Sequence, residues 1–344
     1  MAFLRNESRS KRTAGLTPFA AVQPAVLRVI IVNYRQWKST WSLIASLQKC
    51  QAYRKGDVEI VVVDNNSPPH AFERRLEGLH RVKVIRSRKN RGFAKGVNAG
   101  AEGSQANWIL LLNPDISVGD GFLDQILASG TQLRGLDSRL GVVGFGMLDP
   151  EGSVQPSTGP FPTFCNTILR LILPRRFRKY DLVANQGGQV AWASGCCLLI
   201  SRECWQALDC FDRDYFLYYE DVDFCRRATA QGWKVVQDRG VTAVHHHPLH
   251  RRKVPPHLRV ATRMALHTYA RKHWSKVPFA LISLVLLSEA LLFQISARLR
   301  GNWGLEAWWA SLGQLVRDAS FGKPAKATRR LFSLLGSGDL HRKG

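Results

Sequence analysis

Short apolar runs alternate with longer amphipathic segments from residue 27 onward. Continuous runs of Val, Ile and Leu are typical of strands that are buried on both faces of a parallel sheet. The pattern predicts strands over residues 27–32, 58–63, 82–85 and 108–112, with helices over residues 37–50 and 93–102. Strands and helices in alternation predict an α/β fold with a mostly parallel central sheet.

The second half of the chain is less regular. It contains a strand candidate over residues 141–146 and a Pro-rich connection over residues 150–174, and an apolar run follows over residues 196–200. A helix is expected to start near Ser201, and the acidic start and terminal glycine of residues 221–232 indicate another helix. Residues 235–244 have mixed strand and turn character.

Polar residues follow three of the predicted strands. Asn33 and Tyr34 follow the first strand, Asp64 ends the second, and Asn113 and Asp115 follow the fourth. In a parallel sheet, ligands bind at the carboxyl ends of the strands. We therefore expect these residues to meet at one edge of the sheet and to form a site.

Two of these segments have both a functional and a local explanation. Asp64 can accept hydrogen bonds from a ribose or a base, but Asp and Asn also favour the turn that leaves a strand. Residues 90–100 place a Gly turn before a helix, where backbone N–H groups suit phosphate or sugar oxygens. The same residues also suit an ordinary helix cap.

Three further groups carry possible chemistry. Asp115 can offer a hard oxygen ligand to a divalent cation, although Asn-Pro-Asp is also a common turn. His245 begins a run of three histidines that can supply a metal ligand or simply form a solvated surface. Three carboxylates lie within residues 220–223, where crowding can raise one pKa and create a general base, and where the helix dipole also favours acids.

Composition narrows the classes of protein. The 344 residues carry a net charge of +23 and are 45% hydrophobic, so they can bury a core and do not form a disordered basic tail. Residues 245–344 hold 17 basic and 4 acidic residues, so most of the surplus is C-terminal. This charge predicts an anionic partner, namely nucleic acid, anionic lipid or phosphorylated small molecules. Seven cysteines without a C-x-x-C pair predict buried free thiols.

The basic C-terminal region contains an apolar stretch over residues 277–288, which Glu289 interrupts. Lys276, Arg298 and Arg300 flank the stretch, and three tryptophans follow it. We consider it too short to span a membrane. Basic flanks with aromatic residues are typical of a helix that lies on an anionic leaflet, and the alternative is a helical subdomain packed on the core.

Taken in this order, the segments resemble family 2 glycosyltransferases of the GT-A fold. The branch that is most similar is that of bacterial rhamnosyltransferase-like enzymes, which act on cell-surface polysaccharides. The matching segments are IVNY at 31–34, VVVDNNS at 61–67, NRGFAKGVNAG at 90–100, LLNPDI at 111–116, SGCCLLISRECW at 194–205, FDRDYFLYYEDVDFCRR at 211–227 and the histidines 245–247. Asn113 stands where the family signature usually has an acid.

The resemblance implies roles for named residues. The implied donor-binding residues are Val32, Asn33, Tyr34, Asp64, Asn66, Asn90, Gly92, Asn98 and Asp115. Asp115 is implied to hold Mg²⁺ or Mn²⁺, with His245 as a second ligand. Such an ion would stabilise the negative charge that develops on a diphosphate leaving group.

The acceptor side is implied in the same way. Asp221 is the implied general base, because direct displacement at the anomeric carbon needs one carboxylate opposite the departing diphosphate. Glu220 is the alternative base. Gly195 and Asp223 are placed on the acceptor side, and Asp223 either supports the site or contacts the acceptor.

The resemblance also implies function and organisation. The expected activity is an inverting transfer of a sugar, with dTDP-rhamnose as the favoured donor and a lipid-linked or polysaccharide acceptor, in cell-surface and cell-wall glycan synthesis. We expect a flexible leader over residues 1–26, the GT-A catalytic domain over residues 27–250, and a helical extension over residues 251–344. The expected location is the cytoplasm, with peripheral attachment to the inner face of the cell membrane.

Two other functions are weighed against this one. A non-enzymatic nucleic-acid-binding protein is suggested only by the net charge, and no recognisable binding module is present, so we expect no nucleic-acid partner. A nicotinamide oxidoreductase would fit the α/β pattern, but its G-x-G-x-x-G fingerprint is missing.

Overall fold

A computed structural model describes residues 25–172, 188–246 and 254–336. Most of the predicted leader and the last of the three histidines, His247, lie outside these ranges. The strands are β1 Leu27–Asn33, β2 Val58–Asp64, β3 Val82–Arg86, β4 Trp108–Leu112, β5 Ile116–Ser117, β6 Leu140–Leu148, β7 Val154–Gln155, β8 Thr158–Gly159, β9 Gly188–Gln189, β10 Trp192–Ala193, β11 Cys197–Ser201 and β12 Lys234–His245.

The helices lie between the strands and at the C-terminus. They are α1 Trp37–Leu47, α2 Gln51–Lys55, α3 Ala71–Glu77, α4 Phe93–Ala101, α5 Phe122–Leu136, α6 Phe164–Ile172, α7 Arg202–Ala207, α8 Glu220–Ala230, α9 Pro256–His273, α10 Lys276–Leu299, α11 Trp303–Ser320 and α12 Pro324–Gly336. The predicted strands are present with small changes at their ends. The predicted helix over residues 37–50 is divided, because the chain turns at Cys50 before α2 begins.

Ten strands form one large sheet with the order β3-β2-β1-β4-β11-β6-β12-β5, in which β7 also pairs with β6 and β9 with β12. Strands β8 and β10 form a separate two-stranded sheet. Strands β1 to β4 are parallel to one another where they pair, and β12 is parallel to β6. Strand β11 runs antiparallel to both β4 and β6. The prediction of a mostly parallel sheet in an α/β fold is confirmed.

Hydrophobic side chains cover both faces of this sheet. Alternate residues of a strand point to opposite faces, so Val29 and Ile31 pack into one core while Ile30 and Val32 pack into the other. All four side chains are buried. Two covered faces explain why the strands read as continuous apolar runs in the sequence.

The four C-terminal helices share a third hydrophobic cluster. Helix α10 includes Glu289, the charged residue that interrupts the apolar stretch in the sequence. Arg263 of α9 forms a two-pronged ion pair with it and contacts both Glu289 oxygens at 2.7 Å. Among the described helices, only α10 is long and apolar enough to cross a membrane, judged by length and composition alone.

The cysteines of the described residues are all free thiols. Cys50, Cys196, Cys197, Cys204 and Cys225 are buried, Cys210 is half-buried and Cys165 is exposed. Burial raises the pKa of the Cys196 thiol to about 11, which disfavours the reactive thiolate. The prediction of buried free thiols is therefore confirmed except at Cys165.

Candidate active site

Strand pairing brings the candidate residues to one edge of the sheet. Asn33 and Asp64 are paired at the ends of β1 and β2, and Asp115 follows the end of β4. His245 ends β12, which pairs with β5 directly after Asp115. Gly195 precedes β11, which begins at the same edge because it runs antiparallel to β4. The prediction that polar strand ends meet at one edge is confirmed.

The first part of the edge is a buried polar pair. Asn33 donates a hydrogen bond from Nδ2 to Asp64 Oδ1 at 3.0 Å, and Thr40 donates its hydroxyl to Asn33 Oδ1 at 3.0 Å. The backbone N–H of Ser67 donates to Asp64 Oδ2 at 3.0 Å. Asn33 and Asp64 are buried. Since these contacts fix both side chains, the Asp64 carboxylate is held ready to accept further hydrogen bonds.

The other residues predicted around the nucleotide have different exposures. Val32 is buried and Tyr34 is half-buried, with the Arg35 guanidinium 5.2 Å from the centre of the Tyr34 ring. Asn66 is exposed and has a left-handed backbone with φ of 68°. Its neighbour Asn65, which the sequence reasoning did not select, is buried and donates from Nδ2 to the Gly92 carbonyl at 2.9 Å.

Gly92 is required by the backbone at the start of α4. Its φ is 83°, and a Cβ at this position would lie 2.2 Å from the Phe216 carbonyl oxygen. Phe93 donates its N–H to the same oxygen at 2.7 Å, and Asn90 accepts from the Gly92 N–H at 3.0 Å. Only glycine fits this approach. The Gly turn therefore joins α4 to the segment before α8.

Asn98 has a supporting contact. It donates from Nδ2 to the Phe211 carbonyl at 2.8 Å and accepts from the Phe211 N–H at 3.1 Å. Both ends of the amide are used by the backbone of one residue. In this structure Asn98 positions the segment before α8 against α4.

Asp115 and His245 meet although 130 positions separate them in the chain. Asp115 Oδ1 lies 3.5 Å from His245 Nε2, and both side chains are slightly exposed. Two ligands that bind one Mg²⁺ or Mn²⁺ ion at ~2.1 Å each lie roughly 3 to 4 Å apart, so this pair fits such an ion. No cluster of three or more protein ligands occurs among the described residues. Remaining coordination would come from phosphate oxygens and water, as Mg²⁺ favours.

Gln155 holds the other side of the His245 ring. Its amide Nε2 is placed 2.9 Å from His245 Nδ1, while its buried Oε1 has no hydrogen-bond partner among the described residues. Rotating the amide by 180° places Oε1 against an Nδ1–H, since the two amide atoms are interchangeable in such an assignment. In that arrangement Nε2 of His245 keeps its lone pair toward Asp115, as a metal ligand requires.

Asp221 lies in the first turn of α8 and is held by the backbone. Its Oδ2 accepts the Gly195 N–H at 2.8 Å, and its Oδ1 accepts the Val222 N–H at 2.8 Å. Burial raises the pKa of the Asp221 carboxyl above its ordinary value, although these hydrogen bonds act in the opposite direction. A carboxylate with this environment is suited to accept a proton.

Glu220 precedes Asp221 but is more deeply enclosed. Its side chain is buried, and Oε2 has no hydrogen-bond partner among the described residues. Burial and the nearby charge of Asp221 raise the pKa of Glu220 well above its ordinary value. Ionisation of Glu220 is therefore disfavoured while Asp221 is ionised, which makes Glu220 the weaker candidate for the base.

Asp223 is the third carboxylate and is fully buried. It accepts hydrogen bonds from Arg227 Nε at 2.8 Å and Tyr215 Oη at 3.2 Å, and His273 Nε2 lies 2.7 Å from Oδ1. Burial opposes its ionisation, but the hydrogen bond with His273 and the charge of Arg227 lower the pKa of Asp223. These contacts assign Asp223 to support of α8, one of the two roles that the sequence left open.

Comparison with known proteins agrees with this geometry. Residues 28–132 match the Glycosyl transferase family 2 model. Over these residues the chain is similar to family 2 glycosyltransferases. The matched residues include the Asn33–Asp64 pair, the Gly92 turn and Asp115, which together form most of the edge described above.

Two curated proteins are similar to about two-thirds of this chain. An N-acetylglucosaminyl-diphospho-decaprenol L-rhamnosyltransferase of Mycobacterium tuberculosis strain H37Rv is 28% identical over 241 residues, which cover 64% of this chain and 76% of the relative. The low-salt glycan biosynthesis hexosyltransferase Agl10 of Haloferax volcanii is 26% identical over 234 residues, which cover 65% and 68%.

Solved structures show the same fold at low sequence identity. The mannosyltransferase PcManGT from Pyrobaculum calidifontis, in complex with GDP-Man and Mn²⁺, has a TM-score of 0.50 at 15% identity, covering 93% of this chain and 88% of the other. GalNAc-T7 with UDP, GalNAc and Mn²⁺ has a TM-score of 0.51 at 16% identity. That match covers 75% of this chain and 52% of the GalNAc-T7 chain. This chain therefore has the GT-A fold.

Proposed function

We propose that this glycosyltransferase inverts the anomeric carbon while it transfers a sugar from a nucleotide diphosphate donor to a lipid-linked acceptor. One observation carries the proposal. Asp221, a carboxylate of raised pKa, lies at the same edge of the sheet as the Asn33–Asp64 pair and the Asp115–His245 pair. The N–H of Asn113, two residues before Asp115, donates to the Cys196 carbonyl at 3.0 Å. Asp221 accepts from Gly195, the residue before Cys196. The proposed base and metal ligand are thus joined through adjacent strands.

In this proposal each half of the edge has a task. Asn33 and Asp64 bind the base and ribose, and the Gly92 turn borders the diphosphate and sugar. Asp115 and His245 hold Mg²⁺ or Mn²⁺, which supplies positive charge to the diphosphate. Asp221 removes the proton from the acceptor hydroxyl as the new glycosidic bond forms, and the nucleoside diphosphate leaves from the opposite face.

The favoured donor is dTDP-rhamnose, and the favoured acceptor is a sugar diphosphate linked to a polyprenol. The Mycobacterium relative supports this choice, because its name describes a rhamnosyl transfer to N-acetylglucosaminyl-diphospho-decaprenol. The proposed pathway is cell-surface glycan synthesis on the cytoplasmic side of the membrane. The alternative of a nucleic-acid-binding protein is not favoured, because the matched sugar-transfer domain occupies the less basic part of the chain.

A panel of donors tests this function directly. We expect dTDP-rhamnose with Mn²⁺ to raise the melting temperature of the full chain more than UDP-, GDP- or CMP-sugars do, because ligands that bind only the folded state stabilise it. Thermal-shift measurements at fixed Mn²⁺ concentration make the comparison. If no nucleotide diphosphate sugar raises the melting temperature, the assignment of a donor site at this edge is wrong.

Helix α10 supports the proposed attachment to the membrane. Exposed apolar side chains recur every three or four residues along one face of its 24 residues, a length of roughly 36 Å. They are Val277, Leu281, Leu284, Leu291, Leu292, Ile295 and Leu299. The charge of Glu289 is neutralised by Arg263. The basic residues Lys276, Arg298 and Arg300 lie at the two ends of the helix. An apolar face with basic ends is suited to the surface of an anionic bilayer.

Two polar substitutions on this face test the attachment. We expect Leu284→Gln combined with Leu291→Gln to weaken binding to phosphatidylglycerol–phosphatidylcholine vesicles by about 10-fold or more, because each leucine loses apolar burial. Vesicle co-sedimentation measures the partition coefficient. The matched control is Leu136→Gln combined with Val154→Gln, since both residues are exposed outside the C-terminal helices. Equal partitioning of the two double variants would contradict the role of α10.

A further inference from the structure

Lys95 occupies an unusual electrostatic position. It lies in the first turn of α4, where the helix dipole disfavours a positive charge. Its ammonium group lies 3.9 Å from the centre of the Phe332 ring of α12. This contact holds the side chain between the catalytic domain and the C-terminal helices, so the charge is not free to move far into solvent.

Other positive charges surround Lys95. Arg91 and Arg213 are exposed nearby, and both lower the pKa of Lys95, with burial as the largest cause. The nearest acid, Asp214, already pairs with Lys272 at 2.8 Å. Arg91, Lys95 and Arg213 form no ion pair with another described residue. Three neighbouring cations that have no ion-pair partner among the described residues repel one another. A bound anion would offset the free energy of this repulsion.

This cationic patch, defined as Arg91, Lys95 and Arg213, adjoins the acceptor side of the proposed site. A Cβ on Gly195 would lie 3.5 Å both from the Phe93 ring and from Asp221 Cβ. Lys95 is two residues beyond Phe93, so the two Cα atoms are within about 7 Å of each other. Lys95 therefore shares the first turn of α4 with Phe93, whose ring borders Gly195 and Asp221.

The C-terminal helices form the other side of the patch. Phe332 packs edge-on against Phe216 with ring centres 5.1 Å apart, and Phe216 accepts the N–H of Phe93. A Cβ on Gly336 would lie 2.7 Å from the Asn90 carbonyl oxygen, so α12 contacts the chain just before Arg91. The phosphates of a lipid-linked substrate remain near the membrane surface, and α12 belongs to the region that we propose to attach there.

We propose that Arg91, Lys95 and Arg213 bind the diphosphate of the polyprenyl-linked acceptor and thereby place its sugar hydroxyl beside Asp221. The inference rests on the proposed function and names the residues that recognise this acceptor. The donor diphosphate is assigned to Asp115, after β4, and His245, at the end of β12. The donor and acceptor diphosphates are therefore bound by different residues. Guanidinium and ammonium groups are the side chains that bind phosphate oxygens most strongly.

Two acceptors that differ only in the diphosphate test the proposal. One is N-acetylglucosaminyl diphospho-farnesol, and the other is farnesyl N-acetylglucosaminide, which has the same sugar and chain. We expect Lys95→Met to lower kcat/KM for the first acceptor by about 10- to 100-fold, the loss expected for one charged hydrogen bond. The second acceptor should be affected less than threefold, and the KM for the donor should be unchanged. Methionine keeps the unbranched stem that lies over Phe332.

Matched variants and a binding measurement separate this proposal from the proposed function. Arg213→Gln should have an effect in the same direction, Lys95→Arg should retain activity, and Lys83→Met, an exposed lysine on β3, should match the wild type. Calorimetric binding of farnesyl diphosphate without donor needs no turnover, and Lys95→Met should weaken it about 10-fold or more.

Two kinds of result would overturn the patch. One is an increase in donor KM, or equal losses with both acceptors. The other is unchanged binding of farnesyl diphosphate. If the wild type transfers to neither acceptor but binds farnesyl diphosphate through Lys95, the proposed function fails and the patch stands.

Discussion

Replacing Asp221 with asparagine is expected to lower kcat by about 100- to 10,000-fold, the range that a general base contributes. Asparagine has nearly the same size but cannot accept the proton of an acceptor hydroxyl. In the native protein the Gly195 and Val222 N–H groups each donate to one carboxylate oxygen of Asp221. The single amide oxygen of asparagine keeps one of these two hydrogen bonds. The measurement is steady-state transfer at saturating donor and acceptor.

Donor binding provides the control for this variant. Asp221 contacts Gly195 and Val222 and makes no contact with the Asn33–Asp64 pair, so the donor-induced thermal shift should remain within about 2 °C of the wild type. Glu220→Gln is the matched neighbour, and we expect it to retain at least a tenth of the activity, because burial and the charge of Asp221 disfavour ionisation of Glu220. The reverse order of the two effects would make Glu220 the base.

The pH dependence follows from the direction of the Asp221 shift. Because burial raises its pKa above 3.8, the carboxylate takes up a proton at a higher pH than an exposed aspartate does during acidification. Activity should therefore fall on the acid side with a midpoint above pH 3.8. The ionised form also costs stability at neutral pH, since the folded state binds this proton more tightly than the unfolded state.

Replacing Asp115 with alanine is expected to have the second largest effect, a loss of about 100-fold or more in kcat/KM. A divalent cation contributes several kcal/mol to charge stabilisation at a leaving group, and each tenfold in rate corresponds to about 1.4 kcal/mol. The side chain also anchors His245 at 3.5 Å. Binding of Mn²⁺ in the presence of the nucleoside diphosphate, measured by electron paramagnetic resonance, gives a readout that is independent of turnover.

Asp120→Ala is the matched control, because it removes an exposed carboxylate that lies five residues after Asp115, beyond β5. Its Mn²⁺ affinity and turnover should equal those of the wild type. A metal response in Asp115→Ala that is as large as in the wild type would contradict the assignment of Asp115 as a ligand. Gln155 would then have no metal ligand to orient.

The donor half of the site was predictable because it depends on short segments. Asn33 and Asp64 follow apolar strands, and parallel pairing puts such residues side by side. Gly92 was recognisable as a turn before a helix. Asn66 was selected where Asn65 makes the buried contact with Gly92, because a sequence cannot show which of two adjacent asparagines points inward.

The supporting contacts were not predictable, because their partners lie far apart in the chain. Gln155 lies 90 positions before His245, and His273 lies 50 positions after Asp223. Neither residue belongs to a motif. The ion pair of Glu289 was not predictable for the same reason, since its partner Arg263 belongs to another helix.

By itself, the sequence determined the α/β fold, the sheet edge where the polar residues collect and the similarity to family 2 glycosyltransferases, since these follow from local hydrophobic periodicity and short motifs. The tertiary structure alone decided how the environments of three neighbouring carboxylates differ. Desolvation and long-range partners set their pKa values in opposite directions, with Asp221 and Glu220 raised and Asp223 lowered. Those surroundings exist only after the chain has folded, because they come from residues distant in the sequence.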